Sequence, residues 1–233
     1  MRSIVMTAGC SGCGTAAVTA AVARQLALQG KKVLLVEATA GLRRMNRLLE
    51  IREEGLFDFS DLLEGRCALE NALLPTRIAG LTLLQGPSAI DWVPQAASVQ
   101  LLREELSGTE QYDVLLWYCP PGAGALQKGL LPAAETLVLL TEVTPQSIEA
   151  AAKTADWWAG QGARNLRTVF NRVGRCLPKD LGYPHLDAVL DAIGARLLGM
   201  IPEGADLPYS AATGNIAARL CGESRPLLAV YRP

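Results

Sequence analysis

A strand–loop–helix–strand pattern at the start of the sequence places the strongest constraint on the fold. Ser3–Thr7 is a short apolar run typical of a buried strand, and Thr15–Gln29 is an alanine-rich helical segment that ends at Gly30. A second apolar run follows at Lys32–Glu37. Because strands joined through a crossover helix lie parallel in one sheet, this order predicts a parallel sheet with helices packed against it.

The same alternation continues along the chain. Further short apolar runs predict strands buried on both faces, and they lie at Leu81–Gln85, Val114–Tyr118, Thr136–Leu140, Arg167–Phe170 and Leu197–Ile201. Thr144 with Pro145 indicates the start of a long helix that ends near Gly160, and Ser60 with Asp61 indicates the start of a short one. We therefore predict a single domain over residues 1–233, an α/β fold with a doubly wound, mostly parallel sheet and helices on both faces.

Composition excludes several classes of protein. Half of the residues are hydrophobic, 19% are charged and the net charge is −1, so no broad attraction to nucleic acid is expected. The first residues have too short an apolar run for a secretory signal, so we expect none, and no apolar run approaches the roughly 20 residues that span a bilayer. Dispersed cysteines are typical of reduced thiols, and we predict a cytoplasmic protein; they are Cys10, Cys13, Cys67, Cys119, Cys176 and Cys221.

The loop between the first strand and the first helix carries the candidate functional site. Gly9 and Gly14 have the spacing of the Walker A phosphate-binding motif, with Gly12 between them. Glycines let a backbone turn tightly and aim N–H groups inward, and the following helix presents the positive end of its dipole. This loop therefore predicts an anion-binding cradle.

The loop and several later stretches resemble the MinD/ParA family of P-loop ATPases. The family's SGKGGVGKTT loop aligns without gaps to Ala8–Ala17. Similar stretches follow in the family's order at Val33–Ile51, Phe57–Pro75, Tyr112–Gly122, Thr141–Ala151, Phe170–Val173 and Leu197–Glu203. The resemblance implies the P-loop NTPase fold, dimers that enclose ATP, and a role in cell division or positioning.

The departures from the family pattern fall at its charged positions. The resemblance places Thr15 at the lysine that contacts the β- and γ-phosphates, and Cys10 at the lysine that reaches a partner's nucleotide. Ala16 stands at the hydroxyl residue that binds magnesium. Thr39 stands at the aspartate that helps orient the attacking water, and Tyr118 at the aspartate that holds the magnesium shell.

Two other family positions keep a polar residue. Glu37 stands at a family aspartate after the second strand. Asn171 matches an asparagine that hydrogen-bonds adenine, although a capped strand end is an equal structural alternative.

These losses argue against hydrolysis. Phosphoryl transfer is catalysed mainly by positioning and by cations that neutralise charge, and each charge-assisted hydrogen bond contributes roughly 1.5–3 kcal/mol. We predict a pseudo-ATPase without catalytic residues, which binds ATP or ADP weakly at most and does not use magnesium. We expect it to be a binding or regulatory partner of a second copy or of an active relative, and Tyr118 to fill part of the vacated space. The candidate pocket comprises Gly9, Cys10, Ser11, Gly12, Cys13, Gly14, Thr15, Ala16, Thr39, Tyr118 and Asn171.

Two alternatives remain open at this point. The first is an ATPase with unusual site chemistry. The second is a metal or redox protein that uses Cys10, Cys13 and Cys119, since the loop and the strand end converge in this fold. A closed zinc site needs four ligands, and His185 lies far along the chain. The structural alternative is that small thiols fill space left by larger residues.

Three further features yield expectations. Arg43 and Arg44 follow Gly41-Leu42 and are expected to be solvated, with an anion or a partner as the alternative. At least one side chain of Trp157-Trp158 is expected to lie in the core. The stretch Leu228–Pro233 is too short for an amphipathic membrane anchor, so we expect none.

Overall fold

The computed structural model describes residues 1–41, 43–176, 178 and 181–227. The strands are β1 (Arg2–Ala8), β2 (Val33–Glu37), β3 (Leu73–Pro75), β4 (Leu81–Leu84), β5 (Val114–Tyr118), β6 (Thr136–Thr141), β7 (Leu166–Val173) and β8 (Arg196–Pro202). The helices are α1 (Thr15–Leu28), α2 (Arg44–Leu48), α3 (Phe59–Leu63), α4 (Leu69–Ala72), α5 (Ala96–Gly108), α6 (Ala125–Gly129), α7 (Pro145–Gly160), α8 (Leu186–Ile193) and α9 (Ala211–Leu220). Leu42 and the expected absence of an anchor in residues 228–233 lie outside the described residues.

All of these strands form one sheet in the order β3-β4-β2-β5-β1-β6-β7-β8. Neighbouring strands are parallel, with the single exception of the β3–β4 pair. β1 lies in the interior between β5 and β6, so the chain winds outward from it in both directions. The predicted doubly wound, mostly parallel α/β fold is confirmed.

Each face of the sheet carries its own hydrophobic core. Ile4 and Met6 of β1 pack on the face covered by α1 and α9, whereas Val5 packs on the face covered by α5, α7 and α8. Because successive strand residues point to opposite faces, a strand covered on both sides needs apolar residues at every position. This burial explains the continuous apolar runs in the sequence.

The start of the long helix is as predicted, and the start of the short helix is not. Thr144 accepts a hydrogen bond from the Ser147 N–H at 3.3 Å, and Pro145 is the first residue of α7. The prediction that Ser60 and Asp61 open the short helix is wrong, since α3 begins one residue earlier at Phe59 and Asp58 is its N-cap. Asp58 and Asp61 form a reciprocal capping box, which the sequence argument overlooked.

The β3 strand was not predicted. It has only three residues, ends in a proline and pairs antiparallel at the sheet edge, so it lacks the apolar run of a buried strand. Among the tryptophans, Trp158 is fully buried and Trp157 packs edge-on against it, which confirms the expectation for this pair. No helix in the described part of the chain is long and apolar enough to cross a bilayer.

Asp58 does more than cap α3. Its buried carboxylate accepts hydrogen bonds from the N–H and hydroxyl of Ser60 and from the N–H and hydroxyl of Ser88. The two Ser88 bonds fasten the segment after β4 to the start of α3. Burial raises the pKa of Asp58, but the bonds from Ser60 and Ser88 outweigh it and hold that pKa below its ordinary value.

We expect Asp58→Asn to lower the free energy of unfolding at neutral pH by about 2 kcal/mol, because an amide cannot accept all of these bonds. A carboxyl with a depressed folded pKa stabilises the protein above its unfolded pKa and loses that contribution as the pH falls. Urea unfolding should therefore show a deficit that shrinks below about pH 4. The control Asp61→Asn removes a less buried capping partner and should cost less. A deficit of constant size at every pH would contradict this account.

Candidate functional site

A cavity of about 580 Å³ opens at the carboxyl ends of β1, β2 and β5. The loop after β1 and the first turn of α1 form one wall, with Ser11, Gly12, Gly14, Thr15, Ala16 and Ala17. The opposite wall belongs to α2, with Arg44, Arg47 and Leu48. The ends of β2 and β5 complete the lining with Thr39, Tyr118, Pro120 and Pro121. The cavity lies at the edge where ligands bind in doubly wound folds.

The structure brings most of the predicted pocket residues together around this cavity. Ser11, Gly12, Gly14, Thr15, Ala16, Thr39 and Tyr118 line it. The remaining predicted residues, Gly9, Cys10, Cys13 and Asn171, do not line it. Gly9 packs against α7, Cys10 and Cys13 contact each other, and Asn171 donates a hydrogen bond to the loop.

Gly9 and Gly14 meet physical requirements of the loop itself. A Cβ atom on Gly9 would lie 2.4 Å from the backbone of Ala150 and Ala151, so only glycine lets the loop pack against α7. Gly14 is the N-cap of α1 and has a φ of 82°, in the left-handed region that favours glycine. A Cβ there would also meet the Asn171 amide at 2.6 Å.

Two adjacent side chains at the end of β7 hold the carbonyl groups of the loop. Asn171 Nδ2 donates to the Cys13 carbonyl at 2.9 Å, and Arg172 Nη1 donates to the Gly12 carbonyl at 2.9 Å. Neighbouring strand residues normally point to opposite sides, but Arg172 has a φ of 52° and the pairing with β8 is irregular here. This kink lets both side chains reach the loop.

Asn171 therefore stabilises the glycine loop through a hydrogen bond inside the protein. It is 3% exposed, and its amide donates to the loop. The sequence reasoning did not single out Arg172, because its role depends on a positive φ that the stretch FNRV does not reveal.

Helix α1 begins at the cavity without a side-chain cap. Its N-cap is Gly14, and no side chain caps the helix. The first N–H groups of a helix have no partner within it, so the backbone near Thr15 and Ala16 supplies hydrogen-bond donors and the positive end of the helix dipole.

Arg44 and Arg47 add positive charge on the opposite wall. They are three residues apart on α2 and therefore share one face, and both side chains are exposed. Arg47 was missed in the sequence; its spacing from Arg44 was the available signal. The expectation of a solvated side chain is wrong for Arg43, which forms an ion pair with Glu54 and donates to Ser88 Oγ at 2.9 Å.

Glu37 ties β2 to α2 and does not line the cavity. It is fully buried and accepts hydrogen bonds from the N–H groups of Arg44 at 2.8 Å and Met45 at 3.3 Å. Burial raises the pKa of Glu37 to about 7, and these hydrogen bonds offset only part of the effect. Glu37 thus holds the helix that carries the two arginines.

Tyr118 and Thr15 are buried residues of the cavity lining. Tyr118 is 2% exposed, and burial raises the pKa of its phenol, so the side chain is neutral. Thr39 lies beside it, but Thr39 Oγ1 makes no hydrogen bond of normal geometry. Thr15 is 7% exposed. Among the described residues that line the cavity there is no lysine, histidine or carboxylate.

The thiols do not form the three-membered cluster of the metal hypothesis. Cys10 Sγ and Cys13 Sγ are 3.3 Å apart, on the face of the sheet that α1 covers. Cys119 packs in the core on the opposite face, so the sheet separates it from the pair. The part of the chain that the structure describes holds no group of three or more potential metal ligands. The alternative of a site shared by Cys10, Cys13 and Cys119 within one chain is wrong, because the sheet lies between Cys119 and the other two thiols.

Comparison with known proteins identifies relatives of this chain. The chain is 32% identical to a septum site-determining MinD protein from Oltmannsiellopsis viridis over an alignment 210 positions long, which covers 87% of this chain and 64% of that protein. It is 26% identical to the septum site-determining protein MinD of Bacillus subtilis over an alignment 248 positions long, which covers 97% of this chain and 91% of that protein. No protein-family model matches the chain.

Solved structures give the same answer for the fold. The MinC:MinD cell division protein complex of Aquifex aeolicus matches with a TM-score of 0.85 and 28% identity, over 97% of this chain and 98% of that one. The cell division ATPase MinD of Pyrococcus furiosus matches with a TM-score of 0.78 at 22% identity, which supports the fold alone.

The contacts of Glu37 lead to a prediction about pH. A carboxyl whose folded pKa is raised stabilises fully below its unfolded pKa, about 4.5, and that contribution is lost as the pH rises to about 7. We expect Glu37→Gln, which keeps an acceptor without the charge, to gain stability relative to the unmodified chain by up to about 3 kcal/mol over this interval. Denaturant unfolding at a series of pH values measures the gain. The exposed control Glu53→Gln should show none; a flat difference for Glu37→Gln would refute the raised pKa.

Proposed function

The chain belongs to the MinD/ParA family, and we propose that it is a member that does not hydrolyse ATP and acts as a binding or regulatory partner in cell division or positioning. The observation that carries this proposal is the lining of the cavity. Its described residues offer no lysine for the phosphates and no carboxylate for a magnesium shell.

The geometry supports the absence of hydrolysis through three positions. Thr15 begins α1 beside the cavity, where its short hydroxyl side chain cannot supply a positive charge. Ala16 has no side-chain oxygen for a metal. Tyr118 is buried and neutral at the end of β5, where it takes up space next to Thr39. Since phosphoryl transfer depends on positioned cations, these three positions no longer supply the lysine and the magnesium ligands that stabilise the transition state in the family.

The cavity retains features that suit an anion. The uncapped start of α1 offers N–H donors, and Arg44 and Arg47 contribute two positive charges. We infer that ATP or ADP binds weakly at most, through its phosphates and without magnesium.

A protein is the proposed partner, either a second copy of this chain or an active relative. The similar Aquifex aeolicus structure is a complex of MinD with MinC, and the similar curated proteins are named for septum site determination. These names describe those proteins, and they support the same class of role here. We further propose one domain over residues 1–233, a cytoplasmic location, and no nucleic-acid partner.

An ATPase with unusual site chemistry is the second candidate. Arg44 and Arg47 favour it, because guanidinium groups can neutralise phosphate charge in place of lysine and metal. The two candidates differ in whether ATP is hydrolysed.

Calorimetric titration of the full chain with ATP, with and without magnesium, separates them. We expect at most weak heat that is the same in both conditions, and no phosphate release above the blank. Arg44→Ala with Arg47→Ala should abolish any residual binding, whereas the control Arg52→Ala changes an arginine outside the cavity and should not.

A variant designed to gain magnesium-dependent ATP binding also tests the proposal. Thr15→Lys, Ala16→Thr and Tyr118→Asp together restore the family's phosphate lysine and its two magnesium-binding groups, and we expect magnesium to strengthen ATP binding in that variant alone. Phosphate release by the unmodified chain above the blank, with or without magnesium, would overturn the proposal and favour the second candidate.

A further inference from the structure

The glycine loop holds two thiols in contact, and the proposed function does not use them. Cys10 Sγ and Cys13 Sγ are 3.3 Å apart, and Cys10 Sγ lies 3.7 Å from Ser147 Oγ at the start of α7. Sulfur atoms in a disulfide are about 2.05 Å apart, so a small local shift would join them. The two residues between the cysteines, Ser11 and Gly12, line the cavity.

The fold itself fixes this contact. Gly9 packs against the backbone of α7 immediately before Cys10. Asn171 Nδ2 holds the Cys13 carbonyl, and the Cys13 side chain is buried in the core beneath α1. Both ends of the Cys10–Cys13 segment are therefore anchored, and packing within the fold keeps the two sulfur atoms close together.

The two thiols differ in access. Cys10 is partly exposed, whereas Cys13 is 2% exposed. Burial, followed by the contact with Cys10, raises the pKa of the Cys13 thiol to about 11, so Cys13 is a poor first nucleophile at neutral pH. This asymmetry is the usual division between an attacking and a resolving cysteine.

The described residues of one chain do not complete a metal site around the pair. Zinc in a closed site needs four ligands, and the described residues hold no cluster of three or more histidine, cysteine or acidic side chains. A disulfide needs only the two thiols that are present.

We propose that Cys10 and Cys13 form a reversible dithiol–disulfide site in the glycine loop, which reacts with low-molecular-weight disulfides. Cys10 is the attacking residue and Cys13 the resolving residue. The disulfide closes a ring around Ser11 and Gly12, and so alters the wall of the cavity. This site goes beyond the proposed function, because its chemistry takes place at sulfur and requires no nucleotide.

The reaction balances with oxidised glutathione as the disulfide. The Cys10 thiol loses its proton, and its sulfur attacks one sulfur of the small disulfide, whose S–S bond breaks as one glutathione thiolate leaves. The Cys13 thiol loses its proton, and its sulfur attacks Cys10 Sγ and displaces the second glutathione thiolate. The two cysteines lose two electrons and two protons, and the two glutathione thiolates take up the protons to become thiols.

Peptide mapping by mass spectrometry tests the site. The full chain is equilibrated in glutathione buffers of increasing oxidised fraction, free thiols are blocked by alkylation, and each cysteine is assigned. We expect a Cys10–Cys13 disulfide without bound glutathione, reversed by a dithiol reductant. Cys176 is an exposed internal control and should carry only a glutathione adduct, in proportion to the oxidised fraction.

Single variants separate the two roles. Cys13→Ser, and independently Cys13→Ala, should trap glutathione on Cys10, because no resolving thiol remains; circular dichroism checks that each variant is folded. Cys10→Ser should leave Cys13 reduced. A lasting glutathione adduct on Cys10 of the unmodified chain, or a reduced pair under conditions that modify Cys176, would overturn the proposal. Since none of these readouts involves ATP, turnover by the chain would refute only the proposed function.

Discussion

The parallel pairing of β1 with both β5 and β6 is the constraint on which the rest of the structure depends. Parallel strands bring their carboxyl ends to one edge of the sheet, so the loop after β1, the end of β2 and the end of β5 must converge there. This convergence creates the cavity whatever side chains line it. Because β1 is covered by a separate core on each face, the scaffold owes its stability to apolar burial rather than to groups in the cavity.

Because the stability of the fold comes from the two cores, the cavity can differ in charge from an ATPase site while the fold persists. An isolated charge in a buried position is costly, and Thr15 and Tyr118 are both nearly fully buried. Uncharged side chains at these positions leave no stranded ion. Glu37 is a buried carboxyl, but it is not an isolated charge. Its pKa is raised, and backbone N–H groups of α2 donate hydrogen bonds to it.

The sequence was sufficient for the sheet, because strands covered on both faces must read as continuous apolar runs. It also predicted that Thr15, Thr39 and Tyr118 line one cavity, since the segments that carry them converge in a doubly wound fold. It could not assign Cys119, because the side of a sheet on which a strand-end residue lies depends on the alternation of the pleat. Nor could it show that Arg172 braces the loop, which requires a positive φ in an irregular strand.

The glycines show why a phosphate-loop pattern is weaker evidence for nucleotide binding than for a fold. Gly9 is required because any side chain would collide with the backbone of α7, and Gly14 is favoured because its φ of 82° lies in the left-handed region and the Asn171 amide occupies the adjacent space. Both requirements come from packing within the chain and would hold with the cavity empty. The spacing of these glycines therefore reports how the loop is built. Whether the loop binds phosphate is decided by the charged groups that face it, and here those groups are Arg44 and Arg47 across the cavity rather than a lysine within the loop.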